Sequence, residues 1–104
     1  QAVCEGLAFG EALGLKPESL VPTLAAGAAG NWFIDKRGAT MLADSFTPGF
    51  KSALLLKDLH IVQAMAEALG KHYSVVEQSL ADYQKLVDTG FGEEDTSALI
   101  RLKR

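Results

Sequence analysis

The longest run of regularly spaced hydrophobic positions lies between Gly49 and Gly70. The Pro48-Gly49 pair blocks a helix upstream, Gly70 is a typical C-terminal stop, and almost every residue between them favours helix. At about 100° per residue, an α-helix places the apolar side chains of this run on one broad arc. The pattern therefore predicts one long helix that turns this arc toward the core. The arc contains Leu54, Leu55, Ile61, Val62, Met65, Ala66 and Leu69.

The start of the chain also favours helix, over residues 1–13, with Gly14 as the predicted stop. Gly6, Gly10 and Gly14 recur every four positions. An interior glycine costs a helix about 1 kcal/mol relative to alanine, so a row of glycines on one face needs a packing reason. We interpret the row as a close crossing, at which another backbone approaches this helix.

Two further helices are predicted before the Pro48-Gly49 turn. Lys16-Pro17-Glu18 predicts a helix start, with proline in the first turn and glutamate near the positive end of the helix dipole. Asn31 is a typical N-cap for the next helix. Trp32 follows directly; we interpret it as a core or interface anchor, with a ligand contact as the alternative.

The C-terminal third of the chain predicts two more helices. Ser74 followed by Glu77 has the spacing of a capping box ahead of a fifth helix, which Gly90 ends. A short final helix is predicted from about Asp95, which we interpret as its cap. Because no segment alternates with a period of two, the predicted fold is all-α, a single domain of about six helices over residues 1–104.

Two charged neighbours, Lys57 and Asp58, interrupt the apolar arc of the long helix. Asp58 falls in the middle of the arc, where a carboxylate is costly unless it is paired or hydrogen-bonded, and Lys57 falls at the edge. One interpretation is structural: Asp58 bonds a neighbouring helix, and Lys57 lays its stem over apolar surface. The other is a binding site, in which Lys57 meets an anionic or hydroxyl-bearing ligand and Asp58 holds the helix. The helix pattern alone leaves both open.

Composition narrows the class of partner. The formal charge of −3 and the pI near 5.3 offer no basic stripe for phosphates, so we expect no nucleic acid partner. No stretch has the length of a membrane span, and we expect no membrane partner. The single cysteine, Cys4, lies among apolar residues and fits a buried thiol in a reducing setting, which predicts a cytoplasmic location.

Several kinds of chemical site are excluded by their missing companions. Gly90-Phe91-Gly92 resembles the start of a dinucleotide loop, but Asp95 stands at the third glycine position and no strand precedes it. His60 and His72 lack companions at metal-ligand spacing, so no metal site is predicted. No nucleophile motif frames a serine or cysteine. The chain on its own chemistry is therefore not a complete catalyst.

The long helix also carries a family resemblance. Phe50, Leu54 and Lys57-Asp58-Leu59 match the F-x-x-x-L-x-x-K-D-L signature of the β-hydroxyacid dehydrogenases, a family that includes 3-hydroxyisobutyrate dehydrogenase and 2-hydroxy-3-oxopropionate (tartronate semialdehyde) reductase. Other segments resemble this family in the same order along nearly the whole chain. They are Ala29-Gly30-Asn31-Trp32, Arg37-Gly38 with Met41, Phe46-x-Pro48-Gly49-Phe50, and Gly90-x-Gly92-x-x-Asp95-x-Ser97-Ala98.

The resemblance implies a two-domain enzyme of which this chain is one part. A Rossmann domain would precede it and bind the nicotinamide cofactor, and the family's catalytic lysine would lie upstream of Gln1, so no catalytic residue is expected in this chain. Residues 1–104 would be the C-terminal helical domain, with a fold like the C-terminal domain of 6-phosphogluconate dehydrogenase. That domain closes the active-site cleft and builds a homodimer or higher homo-oligomer.

Carried over by position, the resemblance assigns roles to five residues. Lys57 would reach the nicotinamide end of NAD or NADP, Phe50 would line the same pocket, and Asp58 would orient the helix. Asn31 and Trp32 would border the pocket for a small hydroxyacid or its semialdehyde. Asn31 stands where serine is commoner in the family, so the resemblance does not define the substrate.

Two rival functions stay open at this point. An imine reductase of the same architecture would share this domain and differ at the upstream catalytic residue. A helical oligomerisation module without enzymatic activity would need the chain to occur as written. Because Gln1 is not methionine and stands in mid-pattern, we expect a piece of a longer protein instead.

Overall fold

A computed structural model describes all residues 1–104, and its regular secondary structure is entirely helical. The predicted all-α fold is confirmed. The five α-helices are α1 (Ala2–Ala12), α2 (Pro17–Ala26), α3 (Trp32–Leu42), α4 (Ser52–Ala68) and α5 (Ser74–Leu86), followed by a π turn (Val87–Phe91) and a C-terminal 3-10 helix (Thr96–Leu102). None of them has the length and apolar character needed to cross a bilayer.

The contacts group the chain into two units. The first comprises Gln1–Phe46 and Ile100–Arg104, and contains α1, α2 and α3. Asn31 caps α3 as predicted, because its side-chain oxygen accepts a hydrogen bond from the Ile34 amide at 3.1 Å. The apolar side chains buried in this unit include Cys4, Leu7, Leu20, Ile34 and Met41. Burial raises the pKa of the Cys4 thiol to about 11, which keeps it protonated at neutral pH.

The predicted close backbone crossing at the glycine row is wrong. A Cβ at Gly6 would meet nothing within 4 Å, and at Gly10 it would meet a methyl carbon of Leu20 at 2.5 Å. The absent side chain at Gly10 thus makes room for a leucine from α2 and not for another backbone. Gly14 is the helix stop, as predicted, and it adopts a φ of +75°, which glycine reaches without steric cost.

The C-terminal Arg104 is bound to the first unit by ion pairs and hydrogen bonds. The Arg104 guanidinium donates to the carboxylates of Glu11 and Asp44 and to the Met41 carbonyl oxygen. Burial opposes the charged form of Arg104, but the two carboxylates outweigh it and raise the pKa of Arg104 above its ordinary value. The Met41 carbonyl oxygen, near the end of α3, also accepts from the Asp44 amide, so the arginine is its second donor.

The second unit, Thr47–Leu99, is built on the packing of α4 against α5. On α4 the buried residues are Ser52, Leu56 and Ala66, which share one side of the helix. On α5 they are Ser79, Leu80, Tyr83 and Leu86. The Tyr83 hydroxyl donates to the Thr96 carbonyl oxygen at 2.8 Å, so the one buried phenol of this pair is hydrogen-bonded.

The predicted orientation of α4 is wrong. The helix exists within the predicted limits, but most of its apolar arc faces away from α5: Leu54, Ile61, Val62, Met65 and Leu69 are 44% to 76% exposed. The sequence pattern locates an apolar face and does not say what covers it. Leu56, outside that arc, supplies the core contact instead. Asp58 therefore escapes the burial cost expected for a carboxylate in the core, since its side chain is 47% exposed.

The predicted capping box of α5 is also wrong. Tyr73 is the N-cap, no side-chain cap bond forms, and Ser74 is the first helical residue. The Glu77 carboxylate accepts a hydrogen bond from the Gln63 side chain of α4 at 2.9 Å. The glutamate thus links the two helices and does not reach back to the start of its own.

Two glycines of the first unit give opposite expectations for the same substitution. Gly6→Ala adds a methyl group to open space in a helix, and we expect stabilisation by up to about 1 kcal/mol. Gly30→Ala would place a Cβ 2.0 Å from the Ala25 carbonyl oxygen, so we expect a loss of at least about 2 kcal/mol. Urea unfolding of both variants measures the changes. Equal effects would contradict the tight turn described at Gly30.

Candidate cofactor site on α4

The start of α4 is held by a segment that lies some forty positions later in the chain. Ser52 N donates to the Glu94 carbonyl oxygen at 2.8 Å, and Ala53 N donates to that of Gly92 at 2.9 Å. The first amides of a helix lack helical partners, and a side-chain cap normally supplies one. No side-chain cap forms at Lys51. Backbone carbonyls from the Gly92–Glu94 stretch take its place.

The Asp95 carboxylate completes this attachment. One oxygen accepts from the amides of Gly49 and Phe50, at 2.9 and 3.2 Å. The other accepts from the amide and hydroxyl of Ser97, at 3.0 and 2.6 Å. Asp95 is thus the predicted cap of the last helix, and it also anchors the turn that enters α4. Sequence reasoning missed the second role; the only sequence signals were the Pro48-Gly49 turn and the Asp95-x-Ser97 spacing.

Hydrogen bonding decides the charge of Asp95. Burial raises the pKa of this carboxyl, but the hydrogen bonds from the Ser97 hydroxyl and amide and from the amides of Gly49 and Phe50 outweigh burial. The net effect lowers the pKa below its ordinary value, so the group is ionised at neutral pH. An ionised carboxylate that accepts several amide bonds is a strong attachment point for a turn.

The structure brings Lys57 and Asp58 together and exposes both. Their ammonium and carboxylate groups lie 3.0 Å apart, with the Lys57 side chain 64% exposed. The side of α4 that carries Lys57 borders an open groove of about 600 Å³. This groove has an apolar floor and two polar side chains on its wall. It is lined by Ala53, Leu56, Lys57, His60, Ile61, Ala64 and Val87. A flat, partly apolar ligand with oxygen atoms at one end fits such a surface.

Phe50 does not line that groove. It lies in the turn before α4 and is 42% exposed, and its carbonyl oxygen accepts from the Thr96 amide at 2.9 Å. Its backbone is therefore fixed while its ring remains accessible. Its assignment to the pocket of Lys57 stays a prediction, as does the helix-orienting role of Asp58.

Asn31 and Trp32 lie in the first unit, at the start of α3. The Asn31 side chain is used structurally, because it accepts from Ile34 N and donates to the Ala29 carbonyl oxygen at 3.1 Å. Trp32 is 64% exposed, and the Arg37 guanidinium lies 5.3 Å from the centre of its ring. The indole is not a core anchor, and it is accessible to a partner or ligand. The role of both residues in a substrate pocket stays a prediction.

Comparison with solved structures shows that this fold also occurs in two 3-hydroxyisobutyrate dehydrogenase structures. The fold superposes on a 3-hydroxyisobutyrate dehydrogenase from Salmonella typhimurium with a TM-score of 0.90 at 24% identity, covering 97% of this chain and 35% of that one. It is also similar to the Mycobacterium tuberculosis 3-hydroxyisobutyrate dehydrogenase, whose structure includes L-serine. That match has a TM-score of 0.85 at 25% identity and covers 99% of this chain and 38% of that one.

Sequence comparison gives the family. The family described as NAD-binding of NADP-dependent 3-hydroxyisobutyrate dehydrogenase matches residues 1–103, and the chain belongs to it. The chain is 32% identical over 105 residues to the 2-hydroxy-3-oxopropionate reductase of Escherichia coli, which covers 97% of this chain and 35% of that protein. It is 30% identical over 100 residues to the uncharacterized oxidoreductase YkwC of Bacillus subtilis. That match covers 96% of this chain and 35% of YkwC. The chain thus spans about a third of the curated relatives it matches.

Asp95→Asn tests the attachment of α4. A neutral amide loses the charge-assisted bonds to Gly49 and Phe50, and we expect about 2–3 kcal/mol less stability at neutral pH. Because the folded-state pKa of Asp95 is lowered, its contribution is complete above the unfolded pKa and is lost as pH falls through the folded pKa. The wild type and the variant should therefore converge in acid.

Urea unfolding of both proteins over an acidic pH series measures this convergence. Glu93→Gln is the matched control, since Glu93 is 78% exposed and its pairing with Lys51 is at the surface. A constant difference between wild type and Asp95→Asn at every pH would contradict the assignment of the stabilising charge to Asp95.

Proposed function

We propose that this chain is the cleft-closing C-terminal helical domain of an NAD(P)-dependent 3-hydroxyacid dehydrogenase. The family match over residues 1–103 carries the proposal. A nucleotide-binding Rossmann domain of the same polypeptide would supply the remaining part, because the chain spans only about a third of its relatives. The whole protein would transfer hydride between the nicotinamide and a small hydroxyacid or its semialdehyde, as a homodimer or higher homo-oligomer in the cytoplasm.

The residues beside the groove fit the nicotinamide end of the cofactor. Lys57 offers an exposed ammonium group to ribose hydroxyl or carboxamide oxygens, and the apolar floor accommodates a flat ring. When bound, the nicotinamide accepts or supplies the hydride. Asp58, whose carboxylate lies 3.0 Å from the Lys57 ammonium, would orient the helix. The Asp95 attachment fixes the helix on which both stand, so Lys57 starts from a defined position.

The proton transfer that accompanies hydride transfer needs a general acid or base, and neither Asp95 nor Cys4 suits that role. Asp95 is committed to hydrogen bonds with the amides of the turn, and burial keeps the Cys4 thiol protonated. As the family resemblance implies, we assign the general acid or base to a lysine upstream of Gln1, with Asn31 and Trp32 at the edge of the substrate pocket. The names of two relatives, 2-hydroxy-3-oxopropionate reductase and probable 3-hydroxyisobutyrate dehydrogenase, support this substrate class.

Lys57→Met in the full-length polypeptide tests the cofactor role. The methionine keeps the length of the side chain and removes the charge, so we expect the KM for the nicotinamide cofactor to rise about tenfold or more. Lys71→Met is the matched control, because Lys71 is exposed and follows the end of α4. Steady-state kinetics with NADH and NADPH measures both variants. An unchanged KM for Lys57→Met would remove this residue from the cofactor site.

A substrate panel separates the proposed activity from its rivals. We expect turnover with 3-hydroxyisobutyrate, tartronate semialdehyde or L-serine, and none from residues 1–104 alone. Turnover of a cyclic imine in place of the hydroxyacids would move the protein to imine reduction. No cofactor binding by the full-length polypeptide would leave an oligomerisation module.

A further inference from the structure

His60 is the polar side chain of the groove that the proposed cofactor role does not use. It lies on α4 one turn after Lys57, and both residues line the groove. Residues three apart on a helix are neighbours on one side of it, with Cβ atoms about 5–6 Å apart. The His60 side chain is exposed, and its ring has no hydrogen-bond partner within the chain. The ring is therefore available to a ligand in the groove.

The rest of the groove lining offers no other polar side chain. The remaining lining residues are aliphatic: Ala53, Leu56, Ile61, Ala64 and Val87. At 1.5 Å per residue, the lined part of α4 is about 16 Å long, and its two polar side chains lie near the middle. Any side-chain hydrogen bond from this wall to a ligand therefore comes from Lys57 or His60.

The Asp58 carboxylate limits what Lys57 can do for an anionic ligand. It lies 3.0 Å from the Lys57 ammonium, so an anion that approaches this ammonium also approaches a like charge. The attraction and the repulsion act over similar distances and largely cancel. A second donor next to Lys57 offsets the repulsion. Because an imidazole keeps one N–H donor even when it is neutral, His60 supplies this donor in either protonation state.

The proposed reaction brings anionic groups to this part of α4. Hydride transfer needs the reacting carbon of the hydroxyacid about 3–3.5 Å from the nicotinamide. The carboxylate of a small hydroxyacid is close to that carbon, and one phosphate of the cofactor is attached to the nicotinamide ribose. His60 is about 4.5 Å further along α4 than Lys57, which is assigned to the nicotinamide end. A donor at this distance suits an anionic group next to the nicotinamide.

We propose that His60 is a second ligand-contacting residue of the groove, and that its imidazole donates a hydrogen bond to an anionic oxygen group of the bound ligands. Two groups share this chemistry: the carboxylate of the hydroxyacid and the cofactor phosphate attached to the nicotinamide ribose. The inference rests on the proposed function and adds a residue to which the family resemblance gives no role. His60 holds the ligand and takes no part in hydride or proton transfer.

Steady-state kinetics of His60→Leu in the full-length polypeptide tests the contact. Leucine has no donor, so we expect the KM of one ligand, 3-hydroxyisobutyrate or the cofactor, to rise about tenfold. The kcat and the other KM should change less than about threefold. His60→Ala also lacks the donor and should show the same loss, whereas His60→Gln keeps an N–H donor and should recover most of it. His72→Leu is the matched control, because His72 is exposed between α4 and α5 and outside the groove lining.

The methyl ester of 3-hydroxyisobutyrate separates the two anionic groups. The ester keeps the reacting hydroxyl and removes the negative charge. If the carboxylate is the partner, His60→Leu loses about tenfold of the wild-type preference for the acid over the ester. If the phosphate is the partner, acid and ester are affected equally, and fluorescence titration gives a dissociation constant for NADH that is raised about tenfold. Either result supports the proposal. L-serine and its methyl ester replace this pair if serine is the better substrate.

Three results overturn the proposal. They are unchanged constants for both ligands in His60→Leu, an equal loss in His72→Leu, and a loss that His60→Gln does not recover. In each case, NADH binding and hydroxyacid turnover by the wild type leave the proposed function standing. A wild-type polypeptide that binds no NADH and turns over none of the acids of the substrate panel overturns the proposed function, and this inference with it.

Discussion

The buried carboxylate of Asp95 determines where α4 begins. It accepts hydrogen bonds from the amides of Gly49 and Phe50 with one oxygen and from Ser97 with the other, while the neighbouring Gly92 and Glu94 carbonyls cap the helix itself. Everything further along α4 inherits its position from this attachment. That includes the side of the helix that packs on α5, the side that borders the groove, and the side that is exposed.

Three different environments around one helix follow from that position. The buried side of the helix meets α5, and Lys57 and Ile61 border an open groove. Leu54, Val62, Met65 and Leu69 face solvent. Most helices of a small domain have one apolar face, which packs on the core, and a polar face exposed to solvent. Here the arrangement agrees with a chain that spans about a third of the length of its relatives.

The sequence predicted the helices better than their surroundings. Helix limits depend on local signals, such as the Pro48-Gly49 turn, the Asn31 cap and the stop at Gly14, and these were confirmed within a few residues. Which residues cover a helix face depends on distant parts of the chain, which the local pattern does not show. For this reason the predictions that the α4 arc faces the core and that Glu77 forms a capping box were wrong. The family signature supplied Lys57 as a candidate, whereas its anchor at Asp95 involves a bond between positions 46 apart and has no local signature.

The backbone cap of α4 has a consequence for how the chain acquires its structure. The carbonyls that satisfy the first amides of this helix come from Gly92 and Glu94, near the end of the sequence. The first turn of α4 can therefore be completed only after α5 has brought its following turn back to it, and loop closure must precede helix completion. Until residues 92–94 have been synthesised and have folded back, the first turn of α4 lacks its backbone cap.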